Sequence, residues 1–117
     1  MSISRSREIT NGGIMATYIT LISWTDQGIK AFSKTIDRAE AAGQLAAKFG
    51  GNLKQIYWTM GAYDLVSVLE APDDESATAF ALAISSLGNV RTSTLRAFDA
   101  AEMREIVNKA ARAAIAS

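Results

Sequence analysis

Tyr57-Trp58-Thr59-Met60-Gly61-Ala62-Tyr63-Asp64, followed by Leu65-Val66-Ser67-Val68-Leu69, packs three large aromatics, a glycine and a carboxylate ahead of an apolar run. The pattern is that of a hairpin at the centre of a sheet. A strand over residues 53–59 is expected to turn at Gly61, a position suited to a turn or bulge, and to return as a strand over 62–70.

Reading outward, the β-branched and aromatic run 17–24 predicts the first strand. Thr25-Asp26 supplies an N-cap and a first-turn acid for a helical region that runs to Gly50-Gly51. One helix of about 25 residues would be about 37 Å long. The strands beneath it reach only about 25 Å. A break is therefore expected near Ser33-Lys34-Thr35, with a longer second piece whose inner stripe is Ala39, Ala42, Leu45, Ala46 and Phe49.

Beyond the hairpin, Pro72-Asp73-Asp74-Glu75 opens another helix, with acids against its dipole. Its apolar face is expected to be Ala77, Phe80, Ile84 and Leu87, and Gly88 suits the position after its end. A fourth strand is expected over 90–98. Asp99 with Glu102 has capping-box spacing, and Phe98 with Met103 has the spacing of a hydrophobic staple. The final helix is expected to turn Met103, Ile106, Val107 and Ala110 inward.

The order βαββαβα predicts an α+β, ferredoxin-like four-stranded antiparallel sheet of order 4-1-3-2, with an extra C-terminal helix. Residues 15–117 are expected to form a single domain. Residues 1–14, polar and ending in Asn11-Gly12-Gly13, read as a flexible extension, and Met15-Ala16-Thr17 resembles a second start.

Helices cover one face of such a sheet. The third strand is nevertheless apolar on both, with Leu65 and Leu69 opposite Val66 and Val68. The first strand repeats this, with Ile19 and Leu21 opposite Tyr18, Ile22 and Trp24. A second copy packed on the open face would bury it, giving a homodimer or higher homo-oligomer of the dimeric α+β barrel type. The alternative is a monomer whose last helix folds across that face.

Composition removes whole classes of chemistry. The 117 residues contain neither Cys nor His, so disulfides, thiolate catalysis, zinc fingers and a Ser-His-Asp triad are out of reach. No metal and no cofactor is expected. Twelve basic residues balance twelve acidic ones, which disfavours a nucleic-acid or anionic-membrane partner. No apolar run approaches the roughly 20 residues of a membrane span. With no export signal visible, a cytoplasmic location is expected.

Several segments together resemble the GYD domain family. They are residues 16–21, Thr25-Asp26-Gln27-Gly28-Ile29, the stretch Tyr57 to Asp64, residues 70–75, Gly88-Asn89-Val90-Arg91-Thr92, and residues 94–98. The similarity runs from Met15 to about Val107. Its name motif stands here as Gly61-Ala62-Tyr63-Asp64, with one residue inserted after the glycine. The resemblance implies a relationship to dimeric α+β barrels and brings no established activity or catalytic residue. A looser likeness, confined to the hairpin, is to the ligand-sensing domain of leucine-responsive regulators.

An antiparallel 4-1-3-2 sheet gathers Trp24, Tyr57, Trp58, Tyr63, Asp64 and Arg91 at one end. Aromatic walls with a few polar groups are what small-ligand sites look like. Asp64 would accept a hydrogen bond or proton and Arg91 would hold an anion. The structural alternative has Asp64 capping the hairpin backbone or pairing with Arg91, and the aromatics filling a core. Arg96 either points into the barrel or makes a rim ion pair. Asp73-Asp74-Glu75 reads as capping rather than a cation site.

The resulting expectation is a homo-oligomeric domain that binds a small molecule of unknown identity. Two alternatives stand beside it. One is a cofactor-independent isomerase or oxygenase using Asp64 with Tyr63, and the other is a purely structural module.

Overall fold

The computed structural model describes residues 9–10 and 13–116. Ile9–Thr10 (β1) and Gly13–Ile14 (β2) pair with each other. The expectation of a flexible extension otherwise falls outside the described residues. The main sheet consists of β3 (Ala16–Trp24), β4 (Asn52–Trp58), β5 (Leu65–Ala71) and β6 (Val90–Ala97). Its order is β4-β5-β3-β6 with every neighbour antiparallel, which is the expected 4-1-3-2 read from the other edge.

The first helical region breaks where its length required. Asp26–Lys30 (α1) is followed by a 3₁₀ turn over Phe32–Lys34 and then by Thr35–Lys48 (α2). At the end of α2, Gly50 adopts φ +77°, its N–H bonds the Ala47 carbonyl, and the Gly51 N–H reaches back to that of Ala46. This is a Schellman closure, which satisfies the last helical carbonyls. The chain then enters β4, where a bulge between Leu53 and Gln55 offsets the ladder.

Asp74–Ser86 (α3) is capped by Asp73, whose carboxylate accepts the Ser76 N–H at 2.8 Å. Ala77 and Phe80 are buried beneath it. Leu87, expected on the same inner face, lies at the C-cap and is mostly exposed, because the helix ends one residue before it.

The hydrophobic core occupies one end of the helix-facing layer. Tyr18, Ala46, Leu69, Ala71, Ala77 and Phe80 are buried together there, flanked by Ala42, Leu45, Phe49 and Ile84. In register, Tyr18, Thr20 and Ile22 alternate with Ile19 and Leu21, so the former face the helices and the latter face away. Val66, Val68 and Leu95 pair with Leu21 and Ile19 on that outer face.

Two expectations need correction. The third main strand begins at Leu65 rather than Ala62, because Asp64 ends the ladder with its own side chain. The last helix, Ala100–Ala116 (α4), does not turn its stripe inward. Met103, Ile106 and Val107 are exposed, Ile106 and Val107 by 37% and 51%. Ala110 is exposed as well. The stripe is amphipathic, but within this chain α4 leads away from the sheet instead of folding across it.

Candidate functional site

The segments Thr25–Ile29 and Gly88–Arg91 are held to each other. Thr25 accepts the Gly28 N–H at 3.1 Å and donates its hydroxyl to the Gly88 carbonyl at 2.5 Å. Its backbone N–H bonds the Asn89 carbonyl. Gln27 donates to the Leu87 carbonyl and to the Asn89 side chain. Gly28 lies so close to Asn89 that a Cβ there would stand 2.0 Å from its carbonyl oxygen. The strap fixes α1 over the start of β6, and so fixes the mouth of whatever lies beneath.

Beneath it is a cleft of about 150 Å³ between α2, α3 and the helix-facing side of the sheet. Ile22, Ile56 and Leu65 form its floor, Trp24 and Val90 one end, and Leu45 and Ile84 its flanks. α2 faces this space with Ala39, Ala41, Ala42 and Leu45. Three polar side chains line it: Thr35, Arg38 and Asn89. Arg38 donates to the Ala31 carbonyl at 3.0 Å and to the Gly28 carbonyl at 3.2 Å, closing the end of α1.

The six residues expected to form a site are distributed as follows. Trp24 pairs with Val90 and Trp58 with Leu65, on the helix-facing side of the sheet. The Trp58 indole N–H bonds the Thr35 hydroxyl at 2.9 Å, beside the cleft that Trp24 lines. Tyr57 pairs with Val66 and Arg91 with Ser23, on the opposite side of the sheet. Tyr63 lies exposed in the turn, where its carbonyl accepts the Thr59 hydroxyl. Asp64 is placed by backbone bonds: its N–H goes to the Ile22 carbonyl and its carboxylate accepts the Trp24 N–H, both at 2.8 Å. The sheet thus separates Tyr57 and Arg91 from the two tryptophans, while Asp64 ties strand ends together.

Arg38, Thr35 and Asn89 did not emerge from the sequence as site residues. The available signal was a lone cation three and four residues from Ala41 and Ala42 on an otherwise small-residue stripe.

Away from the cleft, Tyr18 donates its hydroxyl to Asp74 at 2.5 Å. Burial, and then that bond and the Asp74 charge, hold its phenol well above the ordinary range. Arg96 stacks over the Tyr18 and Phe98 rings and pairs with Glu102 at 3.3 Å. The Asp73 carboxyl is held below its usual range by the hydrogen bonds from Ser76. Among the described residues no helix is long and apolar enough to cross a membrane.

A curated relative, the glutamine synthetase and cystathionine beta-lyase binding protein of Thermus thermophilus, is 34% identical over 90 residues. The match covers 76% of this chain and 95% of the relative. The crystal structure of TTHA0845 from the same organism is similar at 31% identity, covering 74% of this chain and 96% of that one, with a TM-score of 0.49. The GYD domain family matches residues 18–107. The chain belongs to the GYD domain family.

Proposed function

We propose that this chain is a non-catalytic, homo-oligomeric binding domain that docks onto an enzyme of nitrogen or sulfur amino-acid metabolism. The observation that carries this reading is one exposed apolar corner. Phe32 and Ile36 are 63% and 62% exposed, with Ile29 close behind, and the Trp58–Thr35 bond brings the exposed Trp58 to the same corner. Large apolar side chains concentrated at one place on a surface mark an interaction site, and a tryptophan is a common anchor in one. The 34% identical relative carries the name of a protein that binds glutamine synthetase and cystathionine beta-lyase, which supplies the class of partner.

The cleft supports binding over catalysis. Among the described residues neither a carboxylate nor a tyrosine lines it, so a proton-transfer reaction there would lack its base. Self-association is assigned to the other side of the molecule. The outer sheet face with Ile19, Leu21, Val66, Val68 and Leu95, together with the apolar stripe of α4, would be covered by a second copy.

The test mixes the purified chain with purified glutamine synthetase and cystathionine beta-lyase of the source organism and measures co-elution and binding heat. Wild-type protein is expected to bind at least one of them, and Phe32→Asp to weaken binding at least tenfold with an unchanged melting temperature. Binding to neither enzyme, or equal binding by Phe32→Asp, would overturn the reading.

A second reading is favoured by the cleft itself: a site for one small ligand with an apolar body, used alone or to modulate docking at the adjoining corner.

A further inference from the structure

We infer that the cleft between α2, α3 and the sheet is a site for a small aromatic or branched aliphatic monocarboxylate, with the carboxylate on Arg38. This rests on the second reading above and names the ligand class. The size comes first. A dry cavity of about 150 Å³ lined by aliphatic side chains is large enough to hold a benzene ring, and this cleft has that volume over a floor of Ile22, Ile56 and Leu65. Trp24 at one end offers an indole for the ring to lie against.

The charge comes second. Arg38 lines the cleft, and both hydrogen bonds of its guanidinium go to neutral backbone carbonyls at the end of α1. A guanidinium carries five N–H donors, so three are left beyond those two. Among the described residues no carboxylate pairs with it, whereas Arg96 is paired with Glu102. A cation in a mostly apolar recess with neutral partners is complementary to an anionic group, and a carboxylate matches its fork.

The remaining lining narrows the class. The other polar side chains are Thr35 and Asn89, and no Asp or Glu lines the cleft. An amino acid would bring an ammonium group into a mostly apolar recess beside a cation, with no carboxylate on the lining to pair with it. The ligand is therefore a monocarboxylate without an amine, with a body of one ring or one short branched chain.

The test is an amide-resolved NMR titration of the full chain with benzoate and, separately, with neutral benzyl alcohol. Benzoate is expected to give saturable shifts centred on Ala39, Ala42, Leu45, Leu65 and Val90, and benzyl alcohol to bind at least tenfold more weakly. Arg38→Gln is expected to bring the benzoate affinity down to that of benzyl alcohol. The wild-type comparison of the two ligands stands even if that variant folds poorly, since Arg38 also closes α1. Equal affinity for both ligands in wild-type protein would overturn the carboxylate assignment while leaving a ligand cleft in place. Saturation by neither would overturn both the assignment and the second reading, with the docking proposal untouched.

Discussion

Gly28 and Gly43 are both helical glycines, yet they carry opposite consequences. At Gly28 a Cβ would collide with the Asn89 carbonyl, whereas at Gly43 nothing lies within 4 Å. Gly28→Ala must push α1 off the strap that Thr25 and Gln27 make to the end of α3. The expected cost is on the order of 1–3 kcal/mol, read as a melting temperature lower by roughly 4–8 °C for each kcal/mol in a domain of this size. Gly43→Ala, in the middle of α2, is expected to stabilise by about 0.5–1 kcal/mol. Thermal melts of the two variants check both signs. Tyr18 gives a pH-dependent test. Its folded phenol loses its proton at higher pH than the unfolded one, so the folded state holds more protons in the alkaline range. The contribution of Tyr18 to stability is therefore constant below the ordinary tyrosine value of about 10 and falls as pH rises above it. Tyr18→Phe is expected to remove that part of the alkaline slope while losing about 1 kcal/mol at neutral pH for the bond to Asp74. Denaturant melts between neutral pH and pH 11 measure both effects.

At the level of elements, what was legible in the sequence is what neighbouring residues settle between themselves. The break in the first helical region follows from length alone. The box at the start of α4 appears as read, with the Glu102 N–H on the Asp99 carboxylate at 2.7 Å and the Asp99 N–H on Glu102 at 3.0 Å. Asp99→Ala is expected to cost about 1 kcal/mol and to raise amide exchange through the first turns of α4 before the rest of the protein responds. Less legible was which side of the sheet each aromatic takes. Strand parity alternates with every residue, so Trp58 and Tyr57 part company although adjacent. Where the ladder stops depended on Asp64 accepting the Trp24 N–H, a contact between residues 40 positions apart. The cleft was hidden for a related reason. Ala39 and Ala42 read equally well as close packing and as missing volume, and only the positions of Ile22, Ile56 and Leu65 decide between them. The stripe on α4 announced that the helix wants an apolar partner, but periodicity does not say which chain supplies it.

At the scale of the whole molecule, the described chain leaves three apolar surfaces: the outer sheet face and the α4 stripe, proposed above to pack on a second copy, and the corner at Phe32 and Ile36, proposed to dock onto an enzyme. Ile106→Asp places a charge in the middle of the α4 stripe at a position already exposed in the single chain. It is expected to shift the protein from oligomer to monomer in light scattering, with far-UV circular dichroism preserved. The docking claim is tested most directly by hydrogen exchange on the chain alone and saturated with its partner enzyme. Protection on binding is expected to concentrate in residues 29–36 and 58–63, with the α4 amides unchanged. Protection confined to α4 or to the outer sheet strands, or none anywhere at saturating enzyme, would contradict it.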